Sequence, residues 1–356
     1  MRYLITGGAG FIGSHLTDRL AARGHELVIL DDLSTGRREN IEHLLDGGQA
    51  RLITESADDA AVVNELMASA DACFHLASSV GVKLIVEHPL DCALRSVRAA
   101  DTVMAAAARH QTRLLFASTS EVYGKSNGQP LREHDDRIVG SPTTSRWSYA
   151  TAKAYGEVMA YGYVRDRGAE MMVARLFNAV GPRQASAYGM VLPRFVHQAL
   201  AGDELTVYGD GSQSRCFTHV YDSVVALETL IDTDGAIGNV YNIGSAEPVT
   251  IIELARKVIE RTGSSSQLQL IPYEEAYSDG FEELGSRRPN CSAIESLTSW
   301  RPQRTLDDAI DDAIACEREA FEQAREGRLG LARAGKFFRG GADRGRELTR
   351  ALGLSA

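Results

Sequence analysis

Tyr149 and Lys153 stand four residues apart, and an apolar run elsewhere ends in Ser118-Thr119-Ser120-Glu121. On a helix that spacing puts the phenol and the ammonium on one face. The cation favours the phenolate, drawing down a phenol that ordinarily titrates near about 10. A phenolate base takes a proton from a hydroxyl while the carbon bearing it gives hydride to an acceptor, and Thr119 can hydrogen-bond the same oxygen. A lone Tyr-x-x-x-Lys is common, so the reading depends on an acceptor site nearby.

That site is written at the start of the chain. Tyr3-Leu4-Ile5 runs into Thr6-Gly7-Gly8-Ala9-Gly10-Phe11-Ile12-Gly13, and an amphipathic stretch follows to about Arg23. A strand, a glycine turn and a helix start let backbone N–H groups at Gly7, Gly10, Phe11 and Ile12 meet a pyrophosphate, while Gly13 permits close helix-on-sheet packing. Asp31 ends the next apolar run, Leu27-Val28-Ile29-Leu30, where a carboxylate reaches the adenosine ribose hydroxyls and repels a 2'-phosphate. The cofactor expected is therefore NAD, received at a nicotinamide next to Tyr149 and Lys153. Asp32 is an adjacent alternative to Asp31, and Arg37 with Arg38 keeps an NADP reading open.

These residues need a scaffold. Apolar runs at 3–5, 26–30, 51–53, 72–76, 113–117 and 170–176 alternate with helix-length amphipathic stretches. The rhythm implies right-handed βαβ crossovers and an α/β fold: a Rossmann, doubly wound parallel sheet. Beyond residue 177, punctuation at Gly181-Pro182, Gly209-Asp210-Gly211, Pro248, Pro272, Pro289 and Pro302 predicts a smaller C-terminal substrate-binding lobe. The expected division is a cofactor domain over 1–176 with return segments at 216–245, a lobe from 177–215 and 246–316, and a basic tail over 317–356. From residue 321 that tail holds eight Lys or Arg against four Asp or Glu, and a weakly ordered solvated segment is expected.

Composition narrows the partners. The 356 residues suffice for one large domain or two coupled ones, and 44% apolar with 24% charged residues fits a globular chain. With 38 Lys and Arg against 48 Asp and Glu, the net charge of -10 disfavours nucleic acid and anionic membranes. Five scattered cysteines without a Cys-x-x-Cys pair suggest neither disulfides nor zinc, so a reducing cytoplasm is expected. Cys73 and His75 on one strand do not make a metal site, and no metal is expected. No apolar run nears 18 residues and no charged leader opens the chain, so neither a membrane span nor an export signal is expected.

With these motifs in place, the sequence resembles the extended short-chain dehydrogenase/reductase family, which comprises nucleotide-sugar epimerases, dehydratases and decarboxylases. The resemblance covers roughly residues 1–316. It is carried by the glycine-rich start, Asp31, Phe74-His75-Leu76-Ala77, Thr119, Tyr149 with Lys153, Arg175-Leu176-Phe177-Asn178 with Gly181-Pro182-Arg183, and Tyr208-Gly209-Asp210-Gly211 leading to Arg215. It implies a UDP-sugar substrate, NAD contacts that include Leu76 and Ala77, and a homodimer formed through helices near 99–108 and 148–168. Asn178 and Arg215 would hold the diphosphate, with Tyr208 near the base. A guanidinium suits a diphosphate, although a turn cap at Asn178 and a surface ion pair at Arg215 are the plain alternatives.

The reaction turns on what stands beside the oxidised C4. A dehydratase of this family carries an Asp-Glu pair after the threonine, whereas this chain has Ser120-Glu121 and so lacks the proton donor for a leaving hydroxyl. Decarboxylation needs no such acid, because a C4 ketone lies β to the C6 carboxylate of a glucuronyl sugar. Glu121 can press on that carboxylate while Arg287 fixes it. Thr119-Ser120-Glu121, Arg146-Trp147 and Arg287-x-Pro289 after Tyr277-x-x-Gly280-Phe281 resemble the UDP-glucuronate decarboxylases and the apiose/xylose synthases. That resemblance implies catalytic roles for Glu121, Ser120 and Arg287, and a place for Arg146 in the substrate site. The loop Ser78–Val82 lacks the proline-rich stretch of the xylose synthases, and Phe281 replaces a frequent tyrosine. Lys83 is a further candidate for a substrate carboxylate, with a solvated position as its alternative. A 4-epimerase of UDP-glucuronate or of a neutral UDP-hexose, which needs only Thr119, Tyr149, Lys153 and a roomy pocket, stays open, as do a 4,6-dehydratase and a non-catalytic NAD-binding sensor.

Overall fold

The computed structural model describes residues 1–78, 85, 87–125, 130–186, 190–276, 282 and 286–322. Lys83, the loop from Ser79, Tyr277 to Phe281 and the tail beyond 322 lie outside the described residues.

The first half alternates strand and helix: β1 (Arg2–Thr6), α1 (Phe11–Ala22), β2 (Glu26–Leu30), α2 (Glu42–Asp46), β3 (Ala50–Ile53), α3 (Ala60–Met67), β4 (Ala72–His75), α4 (Pro89–His110) and β5 (Arg113–Thr119). A short β6 (Pro130–Leu131), α5 (Trp147–Arg167) and β7 (Met171–Leu176) follow. Three of these helices have a local reason to start or stop where they do. Asp59 caps α3 by accepting from the Ala61 and Val62 N–H groups, Pro89 sits in the first turn of α4, and Gly168 ends α5 in the left-handed region at φ 63°. The strand at 113 runs to Thr119, two residues further than its apolar run, because Ser118 and Thr119 still pair with Arg175 and Leu176 of β7.

The second half is more broken: β8 (Ala179–Val180), α6 (Val191–Ala201), β9 (Leu205–Tyr208), β10 (Ser214–Cys216), β11 (Thr218–His219), α7 (Val220–Ile231), β12 (Val240–Ile243), β13 (Pro248–Thr250), α8 (Ile251–Thr262), β14 (Leu268–Ile271), α9 (Tyr273–Ala276), β15 (Arg288–Pro289) and α10 (Ser292–Thr298). A last helix spans 306–322.

Seven strands form one parallel sheet in the order β12-β7-β5-β4-β1-β2-β3. This is the doubly wound α/β topology, and the chain reverses its direction of winding between β1 and β4. Both faces are covered, so the strands read as nearly continuous apolar runs. Tyr3, Ile5 and Phe74 pack toward α1 and α7, whereas Leu4, Cys73 and Phe116 pack toward α3, α4 and α5. A separate apolar cluster joins α6, β9, α8 and the last helix through Leu192, Phe195, Leu254, Val258 and Ile310. Two small sheets, β10 with β13 and β6 with β15, carry Arg215 and the segment after Arg287 toward the large sheet.

Candidate active site

A cavity of about 480 Å³ opens over the C-terminal ends of β1, β4, β5 and β7, at the point where the winding reverses. Among its walls are Gly7, Gly10, Phe11, Ile12, Gly13, Asp31, Leu76, Ala77, Thr119, Ser120, Glu121, Arg146, Tyr149, Lys153, Asn178, Tyr208, Arg215 and Arg287, while Lys83 lies outside the described residues.

The half under β1 is shaped for a close backbone approach. Gly7 has φ +73°, and a Cβ there would lie 2.7 Å from the Ala77 nitrogen. A Cβ on Gly13 would stand 2.0 Å from the Gly7 oxygen, so only glycine lets α1 reach the sheet so closely. Helix α1 starts at Phe11 after Gly10, with no side-chain cap over its first N–H groups. Gly7, Gly10, Phe11, Ile12, Gly13, Leu76 and Ala77 line this half of the cavity, which fits a pyrophosphate at a helix N-terminus. Asp31 is 7% exposed and accepts from the Ala9 N–H at 2.9 Å and the Leu33 N–H at 3.0 Å. It thus ties the glycine turn to the end of β2, while burial pushes its carboxyl up.

The other half is built from the end of β5 and the first turns of α5. Tyr149 and Lys153 are buried on one face of α5, and the Tyr149 hydroxyl is hydrogen-bonded to Thr119. Lys153 Nζ donates to the Ala117 carbonyl at 2.8 Å and lies 4.8 Å from the Phe116 ring centre. Burial pushes the ammonium down to about 7, against the raising influence of Glu157. Burial and then the Glu121 charge push the Tyr149 phenol up, opposed by Arg146 and the Thr119 hydrogen bond. The polypeptide by itself therefore does not lower the phenol as the Tyr149 and Lys153 spacing suggests. Two adjacent groups have left water, and each resists its charged form. An oxidised nicotinamide would add a cationic ring from outside the chain, a further influence that would draw the phenol down.

Glu121 sits on a single turn, Ser120–Tyr123, whose N-cap Thr119 accepts from the Glu121 N–H at 3.2 Å. Its Oε1 accepts from Arg146 Nη2 at 2.7 Å and lies 4.0 Å from Arg287 Nη2. Burial alone would raise this carboxyl, but Arg146, Arg287 and Arg215 together hold it below the usual range. Glu121 is thus a carboxylate, and its Oε2 is buried with no hydrogen-bond partner among the described residues. Ser120 is buried beside it. Trp147, next to Arg146, donates from Nε1 to Glu282 Oε2 at 3.0 Å, and Lys125 pairs with the same Glu282.

The lobe closes the far end. Asn178 has φ 33° and donates from Nδ2 to the Cys216 carbonyl at 2.9 Å, so its amide ties the turn after β7 to β10, as its capping alternative has it, while it also lines the cavity. Arg215 donates to the Ser214 carbonyl at 2.8 Å and lines the cavity. Tyr208 ends β9, with the Arg194 guanidinium 4.0 Å from its ring centre. Arg194, Gln213, Tyr273 and Glu282 also line the cavity and were not found from the sequence. Arg194 lies inside an ordinary amphipathic helix, and only its stacking on Tyr208 marks it. Among the described residues, no group of three or more His, Cys, Asp or Glu could hold a metal ion, and no helix is long and apolar enough to cross a membrane.

Residues 3–244 match the model of the NAD dependent epimerase/dehydratase family. A UDP-N-acetyl-alpha-D-glucosaminuronate decarboxylase of Bacillus cytotoxicus is 38% identical, over 89% of this chain and 98% of that protein. UDP-glucuronic acid decarboxylase 1 of Danio rerio is 36% identical over 95% of this chain and 78% of its own length. Among solved structures, the UDP-glucose 4-epimerase of Thermus thermophilus in complex with NAD superposes with a TM-score of 0.79 at 27% identity, covering 89% of this chain and 99% of that one.

Proposed function

The chain belongs to the NAD-dependent epimerase/dehydratase family, and from that premise we propose that it decarboxylates a UDP-linked glucuronate through oxidation at C4. It is an enzyme, and NAD is its cofactor. The reading is carried by one observation: an ionised Glu121 flanked by Arg146 and Arg287, beside the Thr119 and Tyr149 hydroxyls. That is an environment built for a carboxylate substrate, with a buried serine at position 120 where a dehydratase carries an acid.

Bound NAD supplies the two-electron redox step at C4. Gly7, Gly10, Phe11, Ile12, Gly13, Leu76 and Ala77 would hold it, with Asp31 toward the ribose. Thr119 Oγ1 and Tyr149 Oη would bracket the C4 oxygen, and the phenol, neutral in the chain alone, would take its proton once Lys153, with NAD bound, has drawn it to the phenolate. Lys153, one turn further along α5 and anchored to the Ala117 carbonyl, is read as the cation that favours the phenolate. Arg287 and Arg146 orient the C6 carboxylate, and Glu121 crowds it with like charge, so that loss of carbon dioxide into the C4 ketone relieves repulsion. The electron pair of the broken C5–C6 bond enters the enolate of the C4 ketone and C5 takes up a proton from water; as C4 is reduced again, Tyr149 Oη would return its proton to the C4 oxygen, giving the pentose. Arg215, Asn178 and Tyr208 hold the nucleoside diphosphate, and Lys83 is proposed as a further carboxylate contact.

Residues 1–176 with 216–245 are read as the cofactor domain and the remainder to 316 as the substrate lobe. A homodimer is supported by exposed Leu94 on α4 and Tyr155, Val158 and Tyr161 on α5, apolar side chains on helices that pack against each other. A cytoplasmic location is supported by five cysteines that are all free thiols.

The test is incubation with NAD and UDP-glucuronate, and separately with its 2-acetamido analogue, following carbon dioxide and the product by NMR. Release of carbon dioxide with a pentose product supports the reading. Conversion at constant mass to the C4 epimer refutes it in favour of the epimerase, a reading supported by the likeness to UDP-glucose 4-epimerase and by the cavity's size.

A further inference from the structure

Behind the Tyr149 and Lys153 pair lies a buried ion pair that the mechanism above does not use. Glu157 and Arg175 have side chains only 3% and 5% exposed. Arg175 meets both carboxylate oxygens, Nε to Oε1 at 2.9 Å and Nη2 to Oε2 at 2.7 Å. Its Nη1 donates to the Glu133 carbonyl at 2.9 Å, and its guanidinium lies 4.7 Å from the Tyr123 ring centre. Ser118 Oγ completes the set by donating to Glu157 Oε1 at 2.6 Å.

The placement of this set relative to the site is regular. Tyr149, Lys153 and Glu157 follow one another at four-residue spacing along one face of α5. Three consecutive residues of β5 bind them: Thr119 bonds Tyr149, the Ala117 carbonyl accepts from Lys153, and Ser118 donates to Glu157. Arg175 sits opposite Ser118 in the β5–β7 register, so the neighbouring strand fixes the carboxylate from the other side. A well-packed apolar pair of similar volume is often as stable as a buried ion pair or more so, and stability alone therefore gives no reason for this one.

We infer that Glu157, held by Ser118 and Arg175, is a positioning residue for Lys153: its buried carboxylate supplies the counter-charge that keeps the ammonium charged and in register beside Tyr149. The charged and titratable groups around Lys153 leave that role to Glu157. On α5 itself they are Tyr149 and Glu157, from β4 the neutral imidazole of His75, and from β7 Arg175, which reaches Lys153 only through Glu157. Arg137 is 3.9 Å from Glu157, and Glu121 faces Tyr149. Glu157 is the one group that raises Lys153 against burial.

The chain contains five lysines, so protein labelled with 13Cε-lysine gives few resonances, and Lys153→Met assigns the one that matters. In cofactor-free protein Lys153 is expected to titrate near about 7. Glu157→Gln is expected to move that midpoint down by about one pH unit and leave the other lysines in place, while Glu157→Asp restores most of the shift. Because Glu157→Gln strands a buried guanidinium, the double variant Glu157→Leu with Arg175→Met is measured as well. It keeps the volume, removes both charges and is expected to lower the midpoint by a smaller amount. The alkaline limb of turnover should move with the titration in each variant. An unmoved Lys153 midpoint in whichever of the two variants folds would overturn the inference, leaving Glu157 a structural residue. The titration needs no substrate, so its outcome is independent of whether UDP-glucuronate is decarboxylated.

Discussion

Replacing Arg146 by methionine is expected to remove most of what keeps Glu121 ionised. Arg146 lies 2.7 Å from the carboxylate and Arg287 4.0 Å, with side-chain exposures of 6%, 4% and 15% for Arg146, Arg287 and Glu121. Unit charges 4 Å apart attract by ~4 kcal/mol at an effective dielectric constant near 20, so the nearer Arg146 makes the larger contribution. Removing one partner of a buried pair typically costs about 3–5 kcal/mol. Arg287 and Arg215 retain part of the field, which places the expected coupling at the lower end. In a cycle of Arg146→Met and Glu121→Gln, urea unfolding near pH 7 should give a coupling energy of about 3 kcal/mol. The dependence on pH has a definite sign. The folded-state carboxyl is held below its ordinary value of 4.5, so its contribution to stability is present above that pH and disappears as the pH falls through the depressed value. The coupling should therefore shrink in acid. A value below about 0.5 kcal/mol, the scale of a solvated surface pair, would refute the reasoning, as would a coupling that acid leaves unchanged.

Three further outcomes are expected. Tyr149→Phe should lower turnover by about 10²–10⁴-fold, the usual contribution of a positioned base, with NAD affinity by calorimetry nearly unchanged; wild-type turnover would remove the role assigned to the phenol. Glu121→Gln should slow carbon dioxide release about tenfold more than C4 oxidation, read from evolved gas and reduced-cofactor absorbance, and equal slowing of both would contradict its placement at the carboxylate. Gly13→Ala would put a methyl 2.0 Å from the Gly7 oxygen, so unfolding should become easier by about 1–3 kcal/mol and NAD affinity should fall, whereas an unaffected Kd for NAD would show that α1 can move away.

The fold was legible because its cues are short-range. Glycine at 7, 10 and 13 answers to backbone approach within one turn, and the parallel strands announce themselves as apolar runs because both faces of the sheet are covered. Tyr149 and Lys153 were legible for the same reason, since helical spacing alone puts them on one face. What spacing could not convey was the cost of taking those two groups out of water. Burial lowers Lys153 and raises Tyr149, and burial depends on α4, β4 and β5 closing around them.

The charge state of Glu121 is the clearest case of what lies beyond local pattern. Its three guanidinium neighbours come from the start of α5, from β10 and from the residue before β15, at sequence separations of 25, 94 and 166 residues. Each looks ordinary where it stands: Arg146 before a helix, Arg215 in a three-residue strand, Arg287 in an irregular stretch. Only the pairing of β10 with β13 and of β15 with β6 draws the last two onto one carboxylate. The same long-range closure bears on which substrate the site can seat. An epimerase of a neutral hexose has no use for several cations beside C6, whereas an epimerase of a glucuronate would seat the same carboxylate there. An enzyme that must seat a second carboxylate in the same place needs more than one guanidinium, or the two anions would not share the cavity. The excess of guanidinium over carboxylate around Glu121 thus favours a uronate over a neutral hexose as the substrate, and between the two fates of that uronate, release of carbon dioxide or inversion at C4, the product's mass is what discriminates.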